Sequence, residues 1–466
     1  MMETPIAALR KLYPLTPSQK LVFLSWQYTL HKQITNIPSS FFVDTPLDLS
    51  LMKKAAEEAI QRNDSFGLRI TRQGKNRLQY YTEKKVLVLE IKDFSGKSEQ
   101  EMETFFYKTG RKKMPMYDQP LAKIYIVKAP DGSCGVFSCI CHLAMDFWAI
   151  CMFYRDILSL YLAYQNQAPM PKPIRSSEIL LQKEMDYQES DRYLKDKEFW
   201  RQELQIYETP PIFTHINGSI MLDHYRRLIR KPGYRFCKAF FFRTTAKHEV
   251  FTIEKEDVER MRDFCIQNSL PSMQILMIMG LRTFLTRVNN RESDISFYSI
   301  ISRRSTLEEK AAGGTRAQTI PFRSVLKEEL SFKDALNALI EKQNTLYRHA
   351  DFDTMEIFNL EHKLYNMKQT EGYCSMPITF QPIPIDPGNG MKIKTKWYCT
   401  GAAATSVYIT ILDGDNTGAL RFYYEYMDKI IKKETVVRCH KFIMKTIMTG
   451  IADPAVTIKA LLDAPV

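Results

Sequence analysis

Short runs rich in apolar, β-branched and aromatic residues recur along the chain and predict the strands of a sheet. Two of them, 122–129 and 134–141, flank Pro130-Asp131-Gly132, a strong turn sequence, so we expect them to form neighbouring strands. Further strand-like runs lie at 77–81, 86–91, 295–301, 376–381, 406–412 and 420–426. Sheet structure is therefore expected in both halves of the chain.

Between these runs, apolar residues spaced three and four positions apart predict amphipathic helices. A helix over 51–60 would have one apolar face, with Ser50 standing at the capping position. An earlier helix near the N-terminus would be capped by Thr16 or Ser18. Further helical patterns lie at 150–161, 258–267, 273–288, 332–347 and 433–449. Helices and strands thus alternate along the sequence.

Prolines at positions 169, 171 and 173 are followed by two serines, a composition that is typical of linkers. We therefore divide the chain into an N-terminal lobe over 1–172, a linker over 173–185 and a C-terminal lobe over 186–466. Because each lobe mixes helices with strands, the predicted fold class is α/β (α+β), with two lobes of mixed structure.

Lysine and arginine outnumber aspartate and glutamate by 65 to 53, which gives the 466-residue chain a net charge of +12. A basic surface favours an acidic partner. The basic residues form only short clusters, at 111–113 and 226–231, which are typical of solvated faces rather than of a stripe that follows nucleic acid. We expect no nucleic-acid partner, whereas an acidic protein partner fits the charge.

The nine cysteines lack paired regular spacing and no secretory leader is recognised, so we expect reduced thiols in a cytoplasmic protein. Cys139 and Cys141 would share one face of a strand while His142 points to the other, which argues against a metal site. The apolar run 135–154 has the length of a membrane span, but His142 and Asp146 within it would be costly in lipid. We expect a buried strand followed by a core helix, and no membrane partner.

The apolar run 134–141 ends on His142, and Asp146 follows four residues later where a helical pattern begins. A titratable pair at a strand-to-helix junction suggests acyl-transfer chemistry, in which an imidazole accepts a proton from the attacking group. From these residues alone, however, His142 would more often be a core histidine and Asp146 a simple helix cap. The pair by itself leaves both interpretations open.

Several further motifs place this pair in a wider pattern. The chain carries PLTPSQ at 14–19, CHLAMDF at 141–147 and GTRAQTIPFR at 314–323. Weaker motifs lie at 62–69, 193–200 and 424–426. In this order, and over nearly the whole chain, they resemble the condensation domains of nonribosomal peptide synthetases, members of the chloramphenicol-acetyltransferase-like superfamily.

The resemblance implies a V-shaped pair of acyltransferase-like lobes (a pseudo-dimer) with a tunnel between them and the histidine near its midpoint. Two acidic carrier proteins would dock at opposite mouths, each presenting its substrate on a phosphopantetheine arm, so the chain itself would bind no cofactor. The excess of positive charge agrees with such partners. A monomer is expected.

The resemblance also assigns expected roles to residues of the junction. His142 matches the catalytic histidine, which would accept a proton from an attacking amine or orient that amine toward a thioester carbonyl. Asp146 matches an aspartate with a structural role, paired with an arginine for which Arg304 is the candidate. Cys141 replaces the first histidine of the motif, whose role is largely structural.

This sequence departs from the family pattern beside the expected reaction centre. Phe147 replaces the motif glycine, and its benzyl group would either enter the core or narrow the tunnel. Gln318 stands where the family has asparagine, and Trp148 would more often be a core residue on its type alone. The candidates for lining the tunnel are Phe147, Trp148, Gln318, Tyr373, Thr379 and Gln381. The expected site is therefore a remodelled one.

Three functions are open at this point. The leading hypothesis is an acyltransferase that condenses a carrier-bound acyl or peptidyl thioester with an amine or hydroxyl, giving an amide or ester in nonribosomal peptide-type biosynthesis. The changed motif leaves a second hypothesis, a non-condensing domain that recruits a carrier or a tailoring enzyme. The third is a coenzyme A-dependent acyltransferase.

Overall fold

The computed structural model describes residues 11–465, except residues 86, 239–243, 382, 384, 386, 388–389 and 414–416. In this part of the chain the strands are β1 (Tyr13–Pro14), β2 (Asn36–Val43), β3 (Leu68–Gln73), β4 (Asn76–Tyr81), β5 (Val88–Asp93), β6 (Ala122–Lys128), β7 (Cys134–Cys141), β8 (Cys237–Lys238), β9 (Ala246–Ile253), β10 (Asp294–Ile301), β11 (Gln318–Val325), β12 (Glu371–Gly372), β13 (Pro377–Gln381), β14 (Ile393–Trp397), β15 (Val407–Asp413) and β16 (Leu420–Met427). The α-helices are α1 (Pro17–Tyr28), α2 (Leu49–Gln61), α3 (Glu99–Gly110), α4 (Phe147–Gln165), α5 (Ser177–Gln188), α6 (Asp191–Glu203), α7 (Ile220–Ile229), α8 (Lys255–Gln267), α9 (Gln274–Val288), α10 (Leu307–Lys310), α11 (Phe332–Arg348), α12 (Thr354–Leu364), α13 (Lys433–Ala452) and α14 (Ile458–Asp463).

A five-stranded sheet, ordered β14-β2-β7-β6-β5, forms the centre of the N-terminal lobe. β6 and β7 are antiparallel neighbours, as the turn between them predicted. β7 is buried at every position because helices cover both of its faces. The ring of Phe137 stacks on Phe106 of α3, and the hydroxyl of Ser138 bonds that of Tyr154 in α4. A smaller sheet, β1-β4-β3, lies in the same half of the chain.

The edge strand of that five-stranded sheet comes from the second half of the chain. β14 runs antiparallel to β2, and its pairing extends from Ile393 opposite Val43 to Trp397 opposite Ser39. The sequence patterns did not predict this strand, and the lobes are therefore interleaved rather than simply consecutive. The division at 173–185 stays a prediction, and α5 occupies most of that segment.

A six-stranded sheet, ordered β11-β10-β13-β15-β16-β9, forms the C-terminal lobe. β13 is parallel to both of its neighbours, whereas the remaining pairs are antiparallel. The core on one face of this sheet includes side chains of α8, α9, α11 and α13. It is separate from the N-terminal core, so each lobe buries its own apolar residues. The predicted mixed α/β class with two lobes is confirmed.

Most predicted elements lie within a few residues of their observed positions, with one cap misplaced. α2 begins earlier than expected because the carboxylate of Asp48, not Ser50, accepts the backbone amides of Ser50 and Leu51 at 2.8 and 3.0 Å. Thr16 caps α1, as one of the two expected candidates. Residue 86, at the start of the strand expected over 86–91, lies outside the described residues, and β5 begins at Val88. Of the helices described, none is both long and apolar enough to cross a bilayer.

Candidate active site

His142 lies immediately after β7, in the turn that leads to α4. Its backbone amide donates to the carbonyl of Thr35 at 2.7 Å, and its own carbonyl accepts the hydroxyl of Thr315 from the C-terminal lobe. The residue is partly exposed. Its Nδ1 is buried and, among the described residues, has no hydrogen-bond partner. The imidazole is thus held through its backbone by both lobes, while part of the ring stays accessible.

The surroundings of His142 favour the neutral imidazole. Burial lowers its pKa below the usual value, although the carboxylate of Asp146 and the backbone carbonyl of His142 itself act in the opposite direction. A neutral ring can accept a proton at physiological pH, which a protonated ring cannot. The site is therefore suited to a base or to a hydrogen-bond acceptor.

Asp146 joins the two lobes next to this histidine. Its carboxylate caps α4 by accepting the amide of Ala149 at 3.0 Å. It also accepts the backbone amides of Arg316 and Ala317, at 2.9 and 3.1 Å, and the guanidinium of Arg304, all from the C-terminal lobe. Burial alone would raise its pKa, but Arg304 and the amide donors lower it below the usual value. Asp146 is thus an ionised acceptor that is fully occupied by structural bonds.

Arg304 organises the loop that faces Asp146. Its side chain is fully buried, and its Nη1 donates to the carbonyls of Glu309 and Ala312 at 2.8 Å each. Its Nη2 donates to the carbonyl of Gly314 at 3.0 Å as well as to Asp146. The guanidinium therefore fixes the segment that carries Thr315, which bonds the histidine carbonyl.

The N-terminal PLTPSQ motif supports the same turn from the other side. The hydroxyl of Thr16 and the side chain of Gln19 form a reciprocal capping box at the start of α1. The amide nitrogen of Gln19 donates to the carbonyl of Leu143 at 3.0 Å, and the Gln19 and Gln79 amides bond each other. Residues more than 120 positions apart in sequence thereby position the residue that follows His142.

Sequence reasoning missed a buried ionic cluster beside this framework. Arg303 donates to the carboxylate of Glu184 at 2.6 Å and to the hydroxyl of Ser18 at 3.2 Å. Arg316 pairs with Glu309 at 3.1 Å. The sequence did contain a sign of this cluster. Two adjacent arginines follow an apolar strand, and a third lies in the 314–323 motif. Through Ser18 and Glu184, the cluster links α1 and α5 to the C-terminal lobe.

Cys141 and the two aromatics after Asp146 have distinct surroundings. Cys141 is fully buried, and burial raises the pKa of its thiol. Phe147 is half-buried and packs against Trp397 of β14, with ring centroids 4.9 Å apart. The indole N–H of Trp148 donates to the carbonyl of Lys310 at 2.9 Å, across to the C-terminal lobe. Within the described residues, His, Cys, Asp and Glu side chains form no group of three or more that could hold a metal ion.

The four remaining tunnel candidates lie in the C-terminal lobe, in different settings. Gln318 is buried and its amide nitrogen donates to the carbonyl of Phe352. Tyr373 is 2% exposed and donates to Glu361 at 2.6 Å, inside the lobe. Thr379 and Gln381 alternate with the core residue Ile378 along β13, so they lie on the opposite face of the sheet. No hydrogen bond between described residues joins any of the four to His142.

Comparison with known proteins places this geometry in a family. The condensation-domain family model matches residues 9–463. One of the plipastatin synthase subunits of Bacillus subtilis (strain 168) is 20% identical over 456 residues, covering 96% of this chain and 17% of that protein. Surfactin synthase subunit 1 of the same organism is 20% identical over 462 residues, covering 96% of this chain and 12% of that protein. The chain thus spans less than a fifth of these synthetase subunits.

Solved structures share the fold over nearly their whole length. The first condensation domain of the calcium-dependent antibiotic synthetase, in complex with a substrate analogue, is 17% identical with a TM-score of 0.78, covering 96% of this chain and 99% of that chain. VibH, an NRPS condensation enzyme, is 14% identical with a TM-score of 0.74, covering 96% and 99%. A variant of the starter condensation domain of rhizomide synthetase, in complex with C8-CoA, is 13% identical with a TM-score of 0.78, covering 97% of each chain. The chain belongs to the condensation-domain family, whose fold is a V-shaped pair of acyltransferase-like lobes.

Proposed function

We propose that this chain condenses a carrier-bound acyl or peptidyl thioester with an amine to form an amide in nonribosomal peptide-type biosynthesis. The observation that carries the proposal is a partly exposed, neutral His142 in a turn that backbone bonds from both lobes hold in place. An acceptor can then approach a ring whose orientation does not depend on one lobe alone. Membership of the condensation-domain family supports the same reaction.

In the proposed reaction the nitrogen of the acceptor amine attacks the thioester carbonyl. The new C–N bond forms, the C–S bond breaks, and the sulfur leaves on the donor arm. The imidazole of His142 takes the proton that the amine loses and returns it to the leaving thiolate, so no net charge accumulates. General-base assistance of this kind contributes about 10²–10⁴ in rate, and holding two tethered reactants together contributes further. Asp146, whose acceptors are all occupied, keeps the turn in shape and takes no proton.

The substrates are proposed to arrive on the phosphopantetheine arms of acidic carrier proteins. The net charge of +12 supports partners of opposite sign, since long-range attraction speeds their encounter. The open ends of a passage between the lobes are the proposed entry points for the two arms. The monomeric state and the cytoplasmic location stay predictions.

The proposal is tested by a turnover assay with a loaded donor carrier and an amine acceptor. Replacing His142→Ala should lower the rate of amide formation by at least about 100-fold, because the base is lost while the backbone bonds of residue 142 are kept. His224→Ala, which changes an exposed histidine on α7, is the matched control and should leave the rate unchanged. A His142→Ala variant that turns over like the wild type would reject the proposal.

One observation favours a second candidate function. Phe147 fills the position of the motif glycine, and its ring packs on Trp397 at the edge of the N-terminal core, so the family motif is altered five residues after His142. A domain of this kind could hold a carrier protein without condensing its cargo. Carrier binding with no amide formation by the wild type would favour this recruitment role. The same assay is repeated with the donor acyl group supplied on coenzyme A in place of a carrier protein, because the rhizomide synthetase domain was solved in complex with C8-CoA. This repeat tests the coenzyme A-dependent alternative.

A further inference from the structure

One carboxyl group that the proposed reaction does not use lies on the inter-lobe face of the C-terminal sheet. Phe422, Tyr424 and Tyr426 of β16 point into the core of that lobe. Since side chains alternate along a strand, Glu425 points to the opposite face. Glu425 is partly exposed there.

This face of the sheet is turned toward the N-terminal lobe. In the strand register Glu425 stands opposite His248 of β9 on one side and opposite Tyr408 of β15 on the other. The Nε2 of His248 lies 3.0 Å from the hydroxyl of Tyr107, which belongs to α3 of the N-terminal lobe. Glu425 is therefore flanked by two polar rings, one of which contacts the other lobe.

The same region lies at the end of the N-terminal sheet that carries His142. β14 and β7 both run antiparallel to β2, so both leave the sheet at the same end. The amide of Tyr398 donates to the carbonyl of Pro38 at 2.9 Å, which extends the pairing of β14 by one residue. Cys399 follows directly. In the sheet β14 and β7 are separated by β2 alone, which corresponds to two strand spacings, or about 10 Å. Cys399, at the end of β14, therefore lies about that far from the end of β7, which precedes His142.

Cys399 connects this end of the sheet to Glu425. Burial raises the pKa of Glu425 to about 7, and the nearby thiol of Cys399 opposes the rise. The thiol itself donates to the carbonyl of Ala246 at 3.8 Å.

Among the described residues no cationic side chain offsets the burial of Glu425. Lys396, three residues before Cys399, is paired with Glu103 at 2.7 Å. The guanidinium of Arg111, in the same region, lies over the ring of Tyr107, 5.7 Å from its centroid. The carboxyl of Glu425 is thus partly exposed and has no ionic partner among the described residues.

Other buried carboxylates of the chain have partners. Asp146 pairs with Arg304, Asp294 with Arg323 and Glu184 with Arg303. Glu361, whose pKa burial raises to about 8, is 3% exposed and accepts the hydroxyl of Tyr373. A largely buried carboxylate without a cationic partner is costly, so a cation that reaches the exposed part of Glu425 would stabilise its ionised form.

We propose that Glu425 binds a protonated amine of the acceptor substrate, with the ring of Tyr408 beside it. A carboxylate next to a tyrosine ring is a chemically suitable site for an organic ammonium, which gains both a charge-assisted hydrogen bond and attraction to the ring face. This inference rests on the proposed function, because it names what the acceptor must carry. The ammonium is either the attacking amine before it loses its proton or a second, basic group of the acceptor.

The site is tested by calorimetric binding of three probes to the intact protein: n-pentylamine, 1,5-diaminopentane and n-pentanol. The wild type should bind at least one of the amines more tightly than the alcohol. Glu425→Gln should weaken that binding by about tenfold or more, as expected for loss of a charge-assisted hydrogen bond, and should leave n-pentanol unchanged. Glu249→Gln is the matched control, because Glu249 lies on the neighbouring strand and is already paired with Lys433 at 2.7 Å.

Equal loss of affinity for both amines shows that a single ammonium is sufficient for recognition, and loss of affinity for the diamine alone shows that a second basic group is required. Either result supports the site. A wild type that binds no amine better than the alcohol, or a Glu425→Gln variant with wild-type amine affinity, overturns it. The melting temperature of Glu425→Gln at pH 8 should equal or exceed that of the wild type, since an unpaired buried carboxylate is removed.

The binding and turnover assays separate the two proposals. If amine binding depends on Glu425 but the protein shows no amide formation that depends on His142, the condensation function is rejected and the amine site is kept. Amide formation that depends on His142 but proceeds equally well in Glu425→Gln, for monoamine and diamine acceptors alike, keeps the function and rejects the site.

Discussion

Nη2 of Arg304 lies 3.1 and 3.2 Å from the two carboxylate oxygens of Asp146, and both side chains are buried where the lobes meet. The same carboxylate accepts two backbone amides of the C-terminal lobe and caps a helix of the N-terminal lobe. One side chain thus ties the turn that carries His142 to the opposite lobe. Its loss is expected to affect the stability of the protein and the geometry of the site together.

Asp146→Asn should lower the free energy of unfolding at pH 7 by about 3–5 kcal/mol, because the buried guanidinium of Arg304 loses its counter-charge. Asparagine can still accept a bond at the helix cap, so the change reports mainly on the ion pair. Urea unfolding provides the measurement. Asp223→Asn, in the half-exposed pair with Arg226 at 3.2 Å, is the control and should cost about 1 kcal/mol or less. Equal losses for the two variants would contradict the expectation.

The contribution of Asp146 to stability should also depend on pH with a definite sign. Its pKa in the folded protein is below the usual value, so the unfolded chain binds the proton more readily. The stabilisation is therefore present above the unfolded-state pKa of about 3.9 and is lost as the pH falls through the lower folded-state value. The difference between wild type and Asp146→Asn should be constant from about pH 5 to 8 and shrink only below about pH 4. A difference that shrinks between pH 7 and 5 would speak against this assignment.

The pH dependence of turnover should report on His142. Burial lowers the pKa of the imidazole, so the neutral ring persists to a lower pH than a free histidine would allow. The acid limb of kcat/KM should therefore have its inflection below the usual histidine value of about 6.5. The limb is measured with an acceptor whose own ionisation is determined separately. An inflection above 6.5 would be inconsistent with a desolvated histidine acting as the base.

Phe147 and Trp397 should be energetically coupled across the interleaved strand. Their ring centroids are 4.9 Å apart, and such aromatic pairs contribute about 0.5–1.5 kcal/mol beyond simple burial. A double-mutant cycle with Phe147→Ala and Trp397→Ala should give a coupling of that size in the free energy of unfolding. The pair Phe147 and Trp148, which are adjacent in sequence, provides a comparison cycle. A coupling near zero between Phe147 and Trp397 would mean that the contact contributes nothing to stability.

Gly135 should tolerate no side chain, because a Cβ at this position of β7 would lie 2.0 Å from the carbonyl oxygen of Phe41 in β2. Relief would require the two strands to separate at the centre of the N-terminal sheet. Gly135→Ala should therefore cost more than about 2 kcal/mol of unfolding free energy. Gly96→Ala, where a Cβ would meet nothing within 4 Å, should change it by no more than about 0.5 kcal/mol. Similar melting temperatures for the two variants would refute the clash.

Local sequence was sufficient where an element is defined by neighbouring residues. The β6–β7 hairpin followed from an apolar alternation around Pro130-Asp131-Gly132, and the junction at His142 followed from the change to helical spacing. The position of the α2 cap was wrong, because Asp48 and Ser50 are both good capping residues and only the backbone geometry selects between them. The roles of His142, Asp146 and Arg304 came from family resemblance rather than from spacing.

Local sequence could not predict the contacts between segments that are far apart in the chain. β14 alternates Ile393, Thr395 and Trp397 with two lysines, which is a strand pattern, but it is only five residues long and nothing local identifies β2 as its partner. The buried Arg303–Glu184 pair joins residues 119 positions apart, so neither residue predicts the other. Glu425 was only part of a weak motif, and its largely buried carboxyl became visible once Cys399 and His248 were placed beside it.

The amino-acid sequence by itself determined many of the helices and strands, the mixed α/β class and the histidine at the end of a buried strand, because each depends on residues close together in the chain. Only the tertiary structure decided which strand completes the N-terminal sheet, what holds Asp146, and which carboxyl faces the space between the lobes. These depend on charges, hydrogen bonds and strand edges that meet after folding, and a linear pattern contains no information on which distant partners satisfy them.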